Sequence, residues 1–110
     1  MRPIALVLAL VAFSVSTATA AKGNAENGKA KAAQVCAACH GADGAKPVAA
    51  DQPILAGQYY DYLVRALSDY KSGKRTNPVM KGFVATLSKH DIEDLAAWFS
   101  SQHSSLHFQR

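Results

Sequence analysis

The only two cysteines of this chain lie close together, and a histidine directly follows the second one. They belong to the stretch Val-Cys-Ala-Ala-Cys-His-Gly, in which Cys36, Cys39 and His40 carry the reactive groups. Four chemistries use a C-x-x-C pair: a redox-active dithiol, half of a zinc site, a small disulfide and covalent haem attachment. The remaining sequence has to distinguish among these four.

Three of the four chemistries lack support elsewhere in the chain. A zinc site needs four ligands, but there is no second cysteine pair, and His103 and His107 lie near the C-terminus. A thioredoxin-like dithiol follows a strand, whereas this motif falls at the end of a predicted helix. A disulfide between such near neighbours is a strained small ring that adds little stability. Haem attachment remains, with two thiols bound covalently and His40 as the proximal iron ligand.

The first twenty residues are typical of a secretory signal peptide. Arg2 supplies a positive charge, residues 4–15 are apolar and uncharged, and residues 18–20 fit a small-x-small cleavage site. A retained membrane anchor is the alternative, but this run is shorter than the roughly 20 apolar residues that span a bilayer. We therefore predict a cleaved signal peptide at residues 1–20, a mature domain at residues 21–110 and export to the periplasm, without stable membrane insertion.

Met80 is the expected second axial ligand of the iron. Removal of the signal peptide takes Met1 away, which leaves Met80 as the only methionine of the mature chain. A lone methionine is ordinarily a filler of the core, but in a chain with C-x-x-C-H we expect it to bind iron. His90, His103 and His107 are the rivals, and for each of them a solvated surface position is the simpler interpretation.

Helical periodicity marks three segments of the mature chain. We predict three main helices, at about residues 24–35, at about residues 58–71, and from Ser88 to between residues 100 and 103. Asn24 is a good N-cap, Gly73 a plausible C-terminal stop, and Ser88 with Asp91 forms a capping box. The second helix carries an apolar stripe of Tyr59, Leu63, Ala66, Leu67 and Tyr70. The intervening stretches 41–57 and 73–87 are rich in glycine and proline and are expected to be irregular loops organised by a bound group.

The distribution of charge gives no support to nucleic acid as a partner and leaves protein partners open. Twelve Lys and Arg residues face eight Asp and Glu residues, a formal net charge of +4 that becomes +3 once Arg2 is removed. The lysines are dispersed and lack interleaved aromatic residues, so nucleic-acid binding is unsupported. Two haem propionates would lower the net charge to about +1, which makes long-range steering modest. Lys46 and Lys81 are candidates for orienting a partner locally.

With these residues in view, the chain resembles the class I cytochromes c, in particular small bacterial monohaem proteins of the cytochrome c-553 type and single domains of cytochrome c4. The resemblance rests on the stretches GKAKAAQVCAACHGADG, PILAGQYYDYLVRAL, YKSGKRTNPVM and LSKHDIEDLAAWFSSQ, which cover nearly all of residues 23–102. It implies an all-α cytochrome c fold, in which three main helices and their loops wrap around one covalently bound haem c.

The resemblance also implies roles for individual residues. Gly28 would be the point of close contact with the last helix, facing Trp98. The carbonyl of Pro53 would accept a hydrogen bond from the His40 ring, orienting it and raising its basicity. Arg75 and Asn77 match loop positions near the haem propionates. Tyr59 and its neighbour Tyr60 would pack near the haem, although packing in the core explains them equally well.

The expected function is that of a periplasmic electron carrier, and not of an enzyme. His/Met ligation would leave no open position on the iron. Its partners would be a redox protein donor and acceptor, for example a quinol–cytochrome c reductase, a terminal oxidase or a periplasmic reductase or dehydrogenase. The alternatives are a haem subunit docked permanently to a redox enzyme, or a ligand-binding haem protein in which Met80 does not bind the iron.

Overall fold

The computed structural model describes residues 3–4, 10–14 and 22–104 of the chain. The helices are α1 (Ala25–Val35), α2 (Ala37–His40), α3 (Tyr60–Ser72), α4 (Pro78–Val84) and α5 (Lys89–Ser100). Within these ranges there is no strand, so the all-α prediction is confirmed. Packing of α1 and α3 against α5 builds the core, whose members are Ala32, Leu63, Val84, Leu87, Ile92, Leu95, Ala96 and Phe99.

Helix α1 begins and ends where the sequence predicts. The side chain of Asn24 accepts a hydrogen bond of 2.9 Å from the backbone N–H of Asn27, which satisfies a free donor of the first turn. The backbone N–H of Asn24 in turn donates to the Asp94 carboxylate at 2.7 Å, which ties the start of α1 to α5.

The buried Gly28 lies where α1 and α5 meet. A methyl group at Gly28 would overlap the backbone carbonyl of Asp94 and would lie 2.9 Å from the Cβ atom of Trp98. The predicted contact with Trp98 is therefore present, but the backbone at Asp94 approaches more closely. Only a residue without a side chain allows this approach, which explains a glycine in a helix interior.

Helix α3 begins two residues later than predicted. Tyr59 precedes it as the N-cap residue and is 50% exposed, so it does not belong to the buried stripe. Leu63 and Ala66 are the residues that α3 buries. The helix ends at Ser72 because Gly73 adopts a left-handed conformation with φ of 87°, as the predicted stop requires.

Helix α5 has the capping box that the sequence predicts. The side chain of Ser88 accepts from the backbone N–H of Asp91 at 3.0 Å, and the Asp91 carboxylate accepts from the backbone N–H of Ser88 at 2.9 Å. The helix ends at Ser100, and its buried face includes Leu95 and Phe99. This face supplies half of the residues of the core.

Two helices occur in addition to the three predicted, and only α4 lies in a stretch that was predicted to be irregular. Helix α2 is a single turn, and α4 forms in spite of Pro78 and Gly82. Proline is tolerated in α4 because it occupies the first turn, where its missing N–H would have no partner. The side chain of Asn77 accepts from the backbone N–H groups of Val79 and Met80, at 3.0 and 3.2 Å, and so caps this short helix.

The predicted signal peptide lies largely outside the described residues. Of that segment, residues 3–4 and 10–14 are described, and they have no regular secondary structure. Among the helices of the described ranges, none has both the length and the apolar character needed to cross a membrane.

Candidate functional site

The junction of α1 and α2 places the two cysteines and the histidine on one helical turn. Cys36 both ends α1 and precedes α2, and its carbonyl accepts from the backbone N–H groups of Cys39 at 3.2 Å and His40 at 3.0 Å. Residues three apart in a helical turn share a face, so the two thiols are neighbours. Both cysteines are unpaired and partly buried.

The loop after the motif folds back on itself through its backbone. The carbonyl of Gly44 accepts from the N–H groups of Leu55 and Ala56, at 2.8 and 3.2 Å. The N–H of Val48 donates to the Cys39 carbonyl at 3.0 Å. These bonds organise the stretch 41–57 and return the chain to the motif at Pro53.

His40 is the one buried polar side chain of the described core, with 6% of its surface exposed. Its Nδ1 atom lies 2.9 Å from the carbonyl oxygen of Pro53. Because a carbonyl can only accept, Nδ1 is the donor in this hydrogen bond, and Nε2 is the ring nitrogen that could bind a metal. An imidazole oriented by such a bond is a prepared metal ligand through Nε2.

The Cys36 thiol has a raised pKa, whereas the cysteines of a reactive dithiol have a lowered one. Burial raises its pKa to about 11, so it stays protonated at neutral pH. Catalytic C-x-x-C cysteines have a lowered pKa because the thiolate is their nucleophile. This weighs against the redox-dithiol interpretation and leaves a neutral thiol packed against the core.

Met80 lies on the first turn of α4 and packs, partly buried, against the same core cluster as Cys36. Val84, one turn further along α4, is fully buried in that cluster. Two thiols, an imidazole and a thioether in apolar surroundings are donor groups that would suit a covalent haem with one nitrogen and one sulfur ligand to its iron. Within residues 22–104, no three His, Cys, Asp or Glu side chains gather as ligands for a metal ion on their own.

The other predicted site residues are engaged by protein groups. Arg75 Nη2 donates to the Tyr62 hydroxyl at 3.1 Å, and its guanidinium lies over the Tyr62 and Tyr70 rings. Asn77 uses its side-chain oxygen to cap α4. Tyr59 lies at the start of α3, and its neighbour Tyr60 is the one that packs against the core. Roles of Arg75, Asn77 and Tyr59 toward a haem stay predictions.

Sequence reasoning did not single out Tyr62. Its contact with Arg75 joins a helix to a loop thirteen residues away, and no periodicity within α3 marks it. Tyr70 was assigned to the apolar stripe, and it does pack against the core while also facing Arg75.

Comparison with known proteins also identifies a c-type cytochrome. A family model described as cytochrome C oxidase, cbb3-type, subunit III, matches residues 23–99. This chain belongs to that family of c-type cytochromes. Within it, the domain is a class I cytochrome similar to cytochrome c4.

Several relatives show the degree of similarity. The cytochrome c4 of Pseudomonas aeruginosa is 46% identical over 101 residues, which are 92% of this chain and 49% of the relative. A Stutzerimonas stutzeri protein named thiosulfate dehydrogenase electron acceptor is 38% identical over 96 residues, 86% of this chain and 44% of the relative. The structure of reduced recombinant cytochrome c4 from Pseudomonas stutzeri matches with a TM-score of 0.69 and 43% identity, covering 76% of this chain and 48% of that one.

This cytochrome domain therefore spans about half the length of the relatives it matches. The cytochrome c fold predicted from the motif is confirmed. Its single C-x-x-C-H arrangement of Cys36, Cys39 and His40 fits one covalent haem c.

Proposed function

We propose that this domain is a one-electron carrier that holds a single haem c through Cys36, Cys39, His40 and Met80. The observation that carries the proposal is the buried His40 ring, whose Nδ1–H is held by Pro53 and whose Nε2 could bind a metal. When bound, the haem supplies an iron that takes up and releases one electron. The activity of cytochromes c4 supports the same assignment.

The two thiols would attach the haem, and two other side chains would ligate its iron. Attachment would add each thiol S–H across one vinyl group, with sulfur bonding to one carbon and hydrogen to the other, so it would need no oxidant. With a haem bound, His40 and Met80 would be the ligands of its iron, and the iron would then have no open position for a substrate. On this proposal the domain is not an enzyme.

The surroundings of these ligands favour a high reduction potential. Thioether ligation raises the potential, and apolar neighbours disfavour the extra positive charge of the ferric state. Cys36 and Met80 both lie against the buried core. The hydrogen bond from His40 to Pro53 acts in the other direction by raising the basicity of the imidazole. We expect the sulfur ligand and the burial to dominate.

We also propose that residues 1–20 are removed and that the mature domain, residues 21–110, works in the periplasm. The composition of the N-terminal segment supports this, and so does the chemistry of haem c attachment, which ordinarily takes place outside the cytoplasm. The N-terminal sequence of the purified protein tests it. Retention of residue 1 would refute the cleavage.

The sequence interval around Met80 has basic residues and no acidic ones, which suggests where partners dock. No Asp or Glu lies between Asp69 and Asp91, whereas Lys74 and Lys81 are exposed in this interval. Val79 and Phe83, one turn apart on α4, are 62% and 45% exposed. An apolar centre with a cationic rim fits an acidic face of a redox protein. The relative named thiosulfate dehydrogenase electron acceptor suggests a dehydrogenase as one such partner.

Electron transfer from a thiosulfate dehydrogenase, followed against ionic strength, tests this docking surface. Lys74→Glu and Lys81→Glu should each slow the reaction at low salt and flatten its salt dependence, because a cation facing the acidic partner is reversed. Lys29→Glu, on α1, is the matched control and should leave both unchanged. Equal effects of all three substitutions would place the docking surface elsewhere.

A second candidate is a haem subunit that stays docked to a redox enzyme. The family model is named for an oxidase subunit, which favours this possibility. Size-exclusion chromatography of the native extract distinguishes the two, because a free carrier elutes alone and a subunit co-elutes with its enzyme.

Visible spectroscopy of the purified holoprotein tests the ligation. We expect a c-type reduced spectrum, the long-wavelength charge-transfer band of methionine-ligated ferric haem, and no change with carbon monoxide. Met80→Ala should abolish the band and admit carbon monoxide, whereas His90→Ala should not. If the wild-type protein lacks the band and binds carbon monoxide, it is a ligand-binding haem protein.

A further inference from the structure

Arg75 holds the connection between α3 and α4 against α3. The guanidinium carbon of Arg75 lies 5.6 Å from the centre of the Tyr62 ring and 5.3 Å from the centre of the Tyr70 ring. Its Nη2 donates to the Tyr62 hydroxyl at 3.1 Å, and its backbone N–H donates to the Asp69 carbonyl at 3.1 Å. The side chain and the backbone of Arg75 thus both attach to α3.

The two tyrosines offer Arg75 a site made by one helix. They are eight residues apart on α3, which is just over two turns, so both rings are directed toward the same side. Tyr70 packs against the core, whereas Tyr62 is 48% exposed. Guanidinium suits this site because it is planar, weakly hydrated and stacks on aromatic faces.

A second contact holds the far end of the same segment. The Lys71 ammonium, also on α3, donates to the carbonyl of Leu87. Residues 73–87 are therefore tied to α3 near both ends. Met80 lies between these two contacts. The side-chain oxygen of Asn77, two residues after Arg75, accepts a hydrogen bond from the backbone N–H of Met80.

We propose that Tyr62, Tyr70 and Arg75 form a clamp that positions Met80 for the iron. This rests on the proposed role of Met80 as an axial ligand. The clamp residues are positioning residues, because they act through α4 and do not supply the ligand themselves. Releasing Arg75 frees the start of the segment, so that the state with Met80 bound to iron loses population to a state with Met80 displaced.

Competition by imidazole for the ferric holoprotein measures that population directly. Imidazole must displace Met80, so its apparent affinity rises as the displaced state becomes more populated. Arg75→Gln removes two cation–π contacts, and we expect it to tighten imidazole binding by about tenfold, or about 1.4 kcal/mol. Arg75→Lys keeps a positive charge over the rings, so its imidazole affinity should lie between those of the wild type and Arg75→Gln.

Variants of Tyr62 separate the ring from its hydroxyl. Tyr62→Phe loses only a partly exposed hydrogen bond and should change imidazole affinity by about twofold. Tyr62→Leu loses the ring and should approach the effect of Arg75→Gln. Arg65→Gln is the matched control, since Arg65 lies on α3 with its side chain 83% exposed and only a 4.0 Å contact to Asp69.

The outcomes are distinct. The clamp would be overturned if Arg75→Gln and Arg65→Gln bound imidazole with equal affinity. It would also be overturned if Arg75→Gln lowered the stability to urea without changing the affinity for imidazole. If Arg75→Gln tightens imidazole binding but Tyr62→Leu does not, Arg75 acts through another group and the clamp is wrong. A wild-type protein without the methionine band would instead refute the ligation on which the clamp rests.

Discussion

Replacing the two helical glycines by alanine should have effects of opposite sign. In an exposed helix interior, alanine is about 1 kcal/mol more favourable than glycine. Gly82 in α4 has no atom within 4 Å of where a Cβ would lie, so Gly82→Ala should raise the free energy of unfolding by up to about 1 kcal/mol. Gly28 in α1 should behave differently, because a Cβ there would overlap the Asp94 backbone.

The size of the Gly28→Ala effect follows from that overlap. Backbone atoms of α5 cannot rotate away, so α1 and α5 have to separate, and overpacking of this kind costs roughly 1–3 kcal/mol. Taking the upper end and subtracting the gain in helix propensity gives a net loss of about 2 kcal/mol. For a domain of this size, such a loss lowers the melting temperature by roughly 8–16 °C, at 4–8 °C per kcal/mol.

Urea and thermal unfolding of the holoproteins, followed by far-UV circular dichroism, measure both effects. Ala30→Gly, at an exposed position of α1, is a further control that gives the intrinsic glycine penalty within the same helix. Subtracting that penalty isolates the contact between α1 and α5. If Gly28→Ala is as stable as the wild type, or more stable than Gly82→Ala, the close approach of the two helices is not what requires this glycine.

Three further substitutions test the cap of α4, the acid sensitivity of α5 and the iron ligand. Asn77→Ala should lower the free energy of unfolding by about 1 kcal/mol, because two N–H groups lose their acceptor. Asn77→Asp retains an acceptor and should keep most of the wild-type stability. Equal losses of stability in the two variants would contradict the capping role. Hydrogen bonding from the Ser88 backbone holds the pKa of the Asp91 carboxyl below its usual value of about 3.9. The ionised carboxylate therefore stabilises the folded state above that pH, and this stabilisation is lost as the pH falls through the lower pKa of the folded state. Asp91→Asn should therefore flatten the stability profile below about pH 4 in acid titrations, and a profile equal to that of the wild type would contradict this contribution. Met80→Ala should lower the reduction potential measured by redox titration, since thioether ligation raises it, and an unchanged potential would show that Met80 does not bind the iron.

Local interactions made much of this domain predictable from its sequence. The starts of α1 and α5 follow from Asn24, Ser88 and Asp91, which bond to backbone groups within three residues. The end of α3 follows from the freedom of Gly73 to adopt a positive φ. The spacing of Cys36, Cys39 and His40 predicted covalent haem c because few chemistries use these groups in that order. These features depend on near neighbours, so the sequence alone contains the information.

Contacts between distant parts of the chain decided the rest. Helix α4 was predicted as loop because its glycine and proline lower helix propensity, yet packing on α3 and the Asn77 cap compensate. Tyr59 appeared to continue a buried stripe, but the chain turns into α3 one residue later and leaves it half exposed. Arg75 could be assigned to a loop from its position, but the two rings that hold it belong to α3.

The residues that can bind haem were thus determined by the sequence, through their chemical types and spacing. How those residues are held was decided by tertiary structure. The partner of His40 lies thirteen residues away across a folded loop, and the segment carrying Met80 is attached to another helix at both ends. Such contacts arise only when the core brings the elements together, because their energies depend on distances in space and not on separation along the chain.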